Sequence, residues 1–443
     1  MEGKRVAIIG AGPAGIVTTK LALQYGLQPT TYEKSHTLGG LWRRDGAVWG
    51  TMRTNVNRFM FAFSDYPMKA GDVFPTAGEV LEFLEEYAEK FGLRRSIRFG
   101  CEVRKVERSG GGWRVEAARS GGPVESAEYD YVVVCSGFFS APSIPPIPGL
   151  SGFTGQVLHA SHYKTTDPFA GQRVLVVGGS FSGSEIASQL SKVATTHISL
   201  RRTQYLIPRI LNTPDFENIP VDFLVYRRLP PSPLSPAESQ AMRHNIFESI
   251  CGDLGQVHPL LKIDKSLPPF PNINDTFLQA VKDNKLHLCP ALKEVEGKTA
   301  VFEDKSRVEV DVVVFATGYQ LEMPFLGEDV LEALKYDKKD VLQPVILYEQ
   351  AWHPLLKNLA FVGIFDGTFP GSIELQAHWV CSVFAGRVPY PGEEEMRAGL
   401  EAEEAVRRVP CEERAPLPNY FEKIESYAKK ANLYPSEEFL ALL

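Results

Sequence analysis

Two glycine-rich turns, each with a charged residue further along the chain, are the parts of this sequence that could do chemistry. The first, Gly10-Ala-Gly12-Pro13-Ala14-Gly15, follows the apolar run 6–9 and precedes a helix-compatible stretch and a short strand that ends on Glu33. A strand, a glycine turn, a helix and a spaced acid are typical of a dinucleotide-binding unit. Its helix N-terminus can hold a pyrophosphate, and Glu33 can accept hydrogen bonds from ribose hydroxyls. The alternative is an ordinary glycine turn in an α/β sheet.

The second turn repeats the first with an important difference. Arg173-Val-Leu-Val-Val-Gly178-Gly-Ser180-Phe181-Ser182-Gly183 aligns with residues 5–15, and without a gap the alignment places Arg201 where the first copy carries Glu33. An acid suits a free ribose 2′-hydroxyl, whereas a guanidinium suits a 2′-phosphate, which it can hold through two hydrogen bonds. Arg201 and its neighbour Arg202 therefore predict that the second dinucleotide is NADP. The alternative is two solvated charges at a strand end.

The elements that must position these turns are also duplicated. A buried strand with a small-residue turn, Asp130 to Gly137, closes the first half, and Asp311 to Tyr319 closes the second. We predict an α/β fold of two dinucleotide-binding, Rossmann-like domains, each a three-layer ββα arrangement. Residues 1–164 and 320–443 form the first domain and 166–319 the second, which carries an irregular, proline-rich insertion over 204–275 that is read as an active-site lid or a docking surface. Residues 78–91 have apolar side chains at helical spacing and predict a core-facing helix.

Two further residues can each be interpreted in more than one way. Trp42, after the pair Gly39-Gly40, can pack on a planar ligand or fill the core. Asn55 is polar within a largely apolar stretch, and by residue type alone it is more often a turn or cap residue than a catalyst.

Composition excludes several classes of protein. With 443 residues, 44% hydrophobic and 23% charged, the chain is globular, and a net charge of −7 gives no indication of a nucleic-acid or membrane partner. The six cysteines lack the spacing of a redox disulfide or a zinc site, and no metal site is expected. The start of the chain suggests no signal peptide, no apolar run could span a membrane, and the ending is too short for an anchor. We expect a soluble, cytoplasmic protein.

At this point the motifs identify a family resemblance. The spacing Phe153-x-Gly155-x3-His159-x3-Tyr163 lies between the two turns, and Gly39-Gly40-Leu41-Trp42, Phe315–Tyr319 and Glu374-Leu-Gln376-Ala are further signatures. Over nearly its whole length the chain resembles the flavin-containing monooxygenases, class B flavoproteins that use FAD and NADPH.

The resemblance implies roles for particular residues. Asn55, preceded by Thr54, would be the active-site asparagine. In the family an arginine followed by threonine contacts the 2′-phosphate, which favours Arg202, whereas the internal alignment favours Arg201, so both stay candidates. The residues expected to bind the two cofactors are Gly10, Gly12, Pro13, Ala14, Gly15, Glu33, Lys34, Gly40, Leu41, Trp42, Thr54, Asn55, Val103 (through its backbone), Gly178, Ser180, Phe181, Ser182, Gly183, Arg201, Arg202, Thr203, Thr317 and Gln376.

The resemblance also implies a reaction. NADPH would reduce FAD, O2 would add to give a C4a-hydroperoxyflavin, and an amine nitrogen or sulfide sulfur of a small molecule would take the oxygen. One alternative is Baeyer–Villiger oxygenation of a ketone, although such enzymes usually carry tryptophan followed by proline or aspartate where this chain has Tyr163-Lys164. A plain NADPH-dependent flavoprotein reductase or oxidase and a non-catalytic nucleotide-binding protein are the others. Family members often pair, so a homodimer is possible.

Overall fold

The computed structural model describes most of the chain: residues 3–213, 216–226, 234–365, 367, 370–414 and 420–435. Most of the proline cluster of the insertion and the chain ending after residue 435 lie outside the described residues. The chain divides into two compact units, the first formed by Met1–Gly46, Asn57–Ala141 and Gln320–Leu443, the second by Ala47–Val56 and Pro142–Tyr319.

Both units contain strands and helices. The strands are β1 Arg5–Ile9, β2 Gln28–Glu33, β3 Ile97–Phe99, β4 Cys101–Ser109, β5 Gly112–Arg119, β6 Val124–Tyr129, β7 Tyr131–Val134, β8 Ala141–Pro142, β9 Gln156–His159, β10 Arg173–Val177, β11 Thr195–Ser199, β12 Tyr205–Ile207, β13 Ile210–Thr213, β14 Phe216–Pro220, β15 Pro271–Ile273, β16 Leu286–Cys289, β17 Leu292–Glu296, β18 Thr299–Phe302, β19 Arg307–Glu309, β20 Val312–Phe315, β21 Tyr319–Gln320 and β22 Leu359–Phe361. The helices are α1 Pro13–Gln24, α2 Arg58–Phe61, α3 Ala77–Lys90, α4 Phe181–Leu190, α5 Val221–Val225, α6 Pro236–Cys251, α7 Phe277–Lys282, α8 Glu328–Ala333, α9 Pro370–Phe384, α10 Glu393–Arg407 and α11 Tyr420–Lys430.

The first unit is built on a parallel sheet in the order β22-β7-β1-β2-β3. An antiparallel meander, β4-β5-β6, lies on one face of it, because Ala7 and Ile9 of β1 share a buried cluster with Val103 and Trp113 of the meander. Helix α1 packs against β1, β2 and α9. The last four residues of β1 are all buried, although successive side chains point to opposite faces of the sheet. The strand is therefore covered on both faces.

The second unit repeats this plan. Its parallel sheet has the order β16-β11-β10-β20-β9, and the meander β17-β18-β19 packs on one face through a cluster that includes Leu175 and Phe302. In both units the strand before the glycine turn lies at the centre of the sheet, between the strand that follows the helix and the strand that closes the unit. The predicted duplication and the α/β fold class are confirmed.

The unit boundaries differ from the predicted ones at two places. Residues 47–56 and 142–164 belong to the second unit, although both were predicted in the first domain. The cause is packing that no local pattern shows: the Trp49 ring contacts the Tyr163 ring edge-on at 5.5 Å between centroids, and Lys164 donates to the carbonyl of Val48 at 2.9 Å. The segment that carries Asn55 is thereby attached to the second unit.

The helix predicted over 78–91 is confirmed as α3, one residue earlier. Thr76 caps it and exchanges hydrogen bonds with Glu79, an arrangement that satisfies two helix N-terminal donors. Among the described helices none is long and apolar enough to cross a membrane.

Candidate functional site: two glycine turns and the asparagine segment

The first glycine turn leaves no room for side chains at its ends. Gly10 has a φ of +105°, and a Cβ built there would lie 2.6 Å from the carbonyl oxygen of Cys135. A Cβ on Gly15 would lie 1.8 Å from the carbonyl oxygen of Gly10. Because both obstacles are backbone atoms, neither position accepts a larger residue, and helix α1 starts in close contact with β1.

The second turn has the same geometry to within a few tenths of an ångström. Gly178 also has a φ of +105°, with a built Cβ 2.5 Å from the carbonyl of Ala316, and a Cβ on Gly183 would lie 1.8 Å from the carbonyl of Gly178. The sequence repeat is therefore a repeat of backbone conformation. Each turn brings the end of its central strand to a helix N-terminus by the same close contact.

Both helix N-termini suit an anionic group. Gly12 is the N-cap residue of α1 and Ser180 is the N-cap residue of α4, and neither makes a side-chain hydrogen bond to its helix; the first turn of each helix also carries no acid. The first N–H groups of a helix have no intrahelical acceptor and lie at the positive end of the dipole, so a pyrophosphate would satisfy them. Beside the first turn, the buried hydroxyl of Ser136 has no hydrogen-bond partner among the described residues. The residues present thus fit a dinucleotide.

Glu33 has a second task that its spacing did not reveal. The residue is 5% exposed, and its two carboxylate oxygens accept hydrogen bonds at 2.8 Å from the backbone N–H groups of Ala11 and Ser35. The carboxylate thus holds the glycine turn in place. An ionised carboxylate can accept about four hydrogen bonds, so capacity for ribose hydroxyls remains.

The gapless alignment of the two copies is wrong by one residue. In β2 the residue paired with Ile9 is Tyr32, followed by Glu33; in β11 the residue paired with Val177 is Ser199, followed by Leu200. The counterpart of Glu33 is therefore Leu200, not Arg201. The reason is that α4 and its connection are shorter than α1 and its connection, so the second strand begins one residue earlier relative to its turn.

Packing confirms this equivalence. Glu33 bonds to Ala11 in the first turn, and in the second a Cβ added at Gly179, the residue equivalent to Ala11, would lie 2.3 Å from the Leu200 side chain. An apolar side chain thus replaces the carboxylate at the end of the second strand. The second unit thus carries no carboxylate at the position where a negative charge would repel a 2′-phosphate.

The two arginines follow directly after Leu200. Arg201 is exposed, whereas Arg202 is half-buried and donates to the carbonyl of Pro268 at 3.1 Å. The Thr203 hydroxyl donates to the carbonyl of Lys262 at 2.9 Å. Both guanidinium groups lie in the loop immediately beyond the carboxyl end of β11, the edge at which ligands bind in open α/β sheets.

Other predicted cofactor residues of the first unit lie in different surroundings. Leu41 and Trp42 are half-buried in a short 3₁₀ turn, and the Trp42 ring contacts Phe61 edge-on at 5.3 Å. Lys34 is exposed one residue past β2. The Val103 side chain is buried against the sheet, which leaves only its backbone for the predicted contact with a ligand. A Cβ on Gly40, which has a φ of +59°, would approach the Cα of Gly12 to 3.0 Å, so this loop passes directly over the turn.

Two predicted cofactor residues have side chains already engaged within the protein. The Gln376 amide, fully buried, accepts from the N–H of Gly363 at 2.9 Å and donates to the carbonyl of Gln350 at 3.1 Å. A Cβ on Gly363 would lie 3.0 Å from the Cβ of Ala14, so Gln376 supports the start of α1 through that contact. The Thr317 hydroxyl donates to the carbonyl of Ser143.

The histidine and tyrosine of the motif between the turns are structural supports. His159 Nδ1 accepts from the N–H of Ser161 at 3.1 Å, so Nε2 carries the proton and donates to the carbonyl of Gly318 at 2.9 Å. Burial lowers the pKa of His159, which keeps the ring neutral as this pattern requires. Tyr163 is fully buried and donates to Gln189 at 3.1 Å.

Asn55 is held by an arginine that no sequence pattern predicted. Arg209, 6% exposed, donates from Nε to the carbonyl of Thr54 at 3.0 Å and from Nη2 to the carbonyl of Arg53 at 3.3 Å. Its Nη2 also reaches the side-chain oxygen of Asn55 at 3.4 Å. Asn55 itself is half-buried. Arg209 lies in an irregular, proline-rich stretch of the sequence. It belongs to no motif there, so no sequence pattern indicated that it contacts Asn55.

No group of three or more metal-ligating side chains occurs within the described ranges.

Comparison with known proteins identifies the family. A sequence model described as flavin-binding monooxygenase-like matches residues 3–443. The chain belongs to the flavin-binding monooxygenase-like family. Members of this family use FAD and NADPH.

Named relatives of this flavin-binding monooxygenase-like chain agree. It is 30% identical to flavin-containing monooxygenase 5 of Oryctolagus cuniculus, over 98% of this chain and 84% of that protein. It is 33% identical to flavin-containing monooxygenase 2 of Homo sapiens, over 89% and 75%. Among solved structures it is similar to an S-allyl-L-cysteine S-oxygenase from Allium sativum, with a TM-score of 0.71 and 25% identity over 99% of this chain and 91% of that one. The open crystal structure of a cyclohexanone monooxygenase, at 20% identity, a TM-score of 0.72 and 98% of both chains, shares the fold.

Proposed function

We propose that this protein is an NADPH- and O2-dependent flavin monooxygenase that oxygenates an amine nitrogen or a sulfide sulfur of a small molecule. One observation supports this most strongly. Two turns have the same backbone geometry, but the residues at the end of the following strand differ in charge. The buried carboxylate of Glu33 stands there in the first copy, whereas Leu200 and two arginines stand there in the second. The chain is thereby equipped for one dinucleotide with a free ribose and one with a 2′-phosphate.

We assign FAD to the first turn and NADPH to the second. The α1 N-terminus and Gly12 would face the FAD pyrophosphate, with Glu33 on the ribose. Ser180 and the α4 N-terminus would hold the NADPH pyrophosphate, with Arg201 and Arg202 on the 2′-phosphate. Arg202 is half-buried, and its guanidinium donates a hydrogen bond to the carbonyl of Pro268. Its side chain is therefore more rigidly held than that of Arg201, which favours it as the main contact to the 2′-phosphate.

FAD held at the first turn would supply the oxygen chemistry, and the residues of this chain would have to exclude water so that the oxygen is not released as peroxide. We propose that the Asn55 amide does this as a fixed hydrogen-bond donor. A preorganised donor stabilises developing charge without having to reorganise during the reaction. Because Arg209 offers only donors, the Asn55 oxygen faces the arginine and its Nδ2 is directed elsewhere.

The names of the relatives favour heteroatom oxygenation over attack on a ketone. One relative, from Pan troglodytes, is named as an N-oxide-forming dimethylaniline monooxygenase, and the Allium sativum structure is named as an S-oxygenase. The cyclohexanone monooxygenases share the fold at lower identity. Ketone-oxygenating enzymes of similar sequence usually carry tryptophan followed by proline or aspartate where this chain has Tyr163 and Lys164. In this chain Tyr163 donates a hydrogen bond to Gln189, and Lys164 donates one to the carbonyl of Val48.

Replacing Asn55 by alanine is expected to separate NADPH consumption from oxygenation. NADPH oxidation continues, whereas oxygenated product per NADPH falls roughly 10-fold or more and hydrogen peroxide rises, because the fixed amide donor is lost. The measurement is product, peroxide and NADPH from the same reaction. The matched control is Asn245→Ala, an exposed asparagine of the same unit. If Asn55→Ala keeps the full product yield, Asn55 has no role in the chemistry.

A further inference from the structure

The proline-rich segment 204–275 holds a buried arginine with many partners. Arg209 lies two residues after β12, and Asp275 lies two residues after β15, the strand that pairs in parallel with β12. Its backbone N–H donates to Asp275 Oδ1 at 2.8 Å and its Nη1 to Oδ2 at 2.7 Å. Glu185 lies 3.9 Å from its Nη2. A guanidinium this deeply buried is stable only because carboxylates and carbonyls surround it.

The other edge of the same guanidinium binds the residues at and before Asn55. Nε and Nη2 donate to the carbonyl oxygens of Thr54 and Arg53, and Nη2 also reaches Asn55 Oδ1. The planar fork thus fixes two peptide groups and the side-chain amide at once. A lysine ammonium, a single point charge, cannot reproduce this geometry.

The same segment also contacts the second glycine turn. Asn272, in β15, donates to the carbonyl of Gly179 at 2.9 Å. Asn274 donates to Ser184 and Glu185 on α4, each at 3.3 Å. The insertion therefore connects the turn and the asparagine segment through a series of buried and part-buried hydrogen bonds, and the Arg209–Asp275 pair makes the contact to the segment of Asn55.

We propose that Arg209 is the positioning residue for Asn55: it fixes which way the amide faces and holds its backbone, and it touches no reacting group. This inference rests on the proposed function. It also gives the insertion a task, because the segment supplies Arg209, its partner Asp275 and the contact to Gly179. Without the arginine, Asn55 can rotate, and its Nδ2 donors no longer have a fixed direction.

Arg209→Lys tests this with two independent measurements. The first is backbone hydrogen exchange over residues 47–56 in the full chain, which does not depend on turnover; we expect at least several-fold faster exchange. The second is the yield of oxygenated product per NADPH, which should fall at least threefold with KM for NADPH changed less than twofold. The matched control is Arg173→Lys, which weakens the two-point contact of Arg173 with Asp311 in the same unit, far along the chain from Asn55.

The double variant separates positioning from general support. If Arg209 acts through Asn55, Arg209→Lys with Asn55→Ala has the same yield as Asn55→Ala alone. Losses that multiply, an unchanged yield in Arg209→Lys, or unchanged exchange over 47–56 each overturn the inference while leaving the proposed function standing. A wild-type protein that forms no oxygenated product overturns the proposed function instead, and it does so before any variant is compared.

Discussion

Gly15→Ala is expected to yield protein without bound flavin. The added methyl group would lie 1.8 Å from the carbonyl oxygen of Gly10, a backbone atom that cannot rotate away, so α1 must move off its strand. The helix N-terminus then no longer faces the pyrophosphate, and most of the affinity for FAD is lost. The measurement is the ratio of flavin to protein absorbance after purification, with circular dichroism to report the folded fraction.

Gly183→Ala introduces the same clash in the other copy. Its Cβ would lie 1.8 Å from the carbonyl oxygen of Gly178. Since this turn is assigned to NADPH, the variant should purify yellow but fail to be reduced by NADPH, whereas dithionite should still reduce it. The two variants introduce the same clash but are expected to fail in different ways, one losing flavin and the other losing reduction by NADPH. Together they assign each turn to its cofactor.

Two glycines serve as controls for the alanine itself. Gly111 in the first unit and Gly152 in the second have open space where a Cβ would go and no positive φ. Gly111→Ala and Gly152→Ala should retain both flavin and reduction by NADPH. Flavin loss from Gly183→Ala together with retention in Gly15→Ala would contradict the assignment.

Removing both arginines after β11 is expected to abolish the preference for NADPH over NADH. A charge-assisted hydrogen bond contributes about 1.5–3 kcal/mol, so the loss of even one such contact in Arg201→Ala with Arg202→Ala should raise KM for NADPH by roughly 10-fold or more. KM for NADH should change little, because NADH has no 2′-phosphate for them to bind. Steady-state reduction of the flavin with each nucleotide measures this.

The single variants decide between the two arginines. Since Arg202 is half-buried and anchored at Pro268, we expect Arg202→Ala to account for most of the loss. Arg307→Ala is the matched control, because it removes an exposed arginine in the meander of the same unit. Equal loss of affinity for NADH and NADPH would show that the arginines support the fold and do not recognise the phosphate.

The sequence predicted what depends on local patterns. The two glycine turns, the duplicated sheets and α3 follow from spacing along one short stretch each, and all were found. Glycine positions were informative because a built Cβ at Gly15 or Gly183 meets backbone, so the residue type itself records the close contact.

Contacts between distant parts of the chain were not predictable. The alignment error at Leu200 arose because α4 is two residues shorter than α1 and the connection after it is one residue longer, which shifts the count by one residue without changing the residue pattern. Arg209 meets Asn55 across 154 residues of sequence, and the attachment of segment 47–56 to the second unit rests on Trp49 packing on Tyr163. Hydrophobic periodicity carries no record of such pairs.

The central claim is that this chain transfers one oxygen atom from O2 to a soft nucleophile for each NADPH it consumes. The direct measurement supplies NADPH, ¹⁸O2 and a mixture of a thioether, a tertiary amine and a cyclic ketone, and quantifies labelled products, peroxide and NADPH. We expect labelled sulfoxide or N-oxide close to the amount of NADPH oxidised, with little peroxide. A labelled ester from the ketone as the main product, or NADPH converted to peroxide alone, would contradict the account.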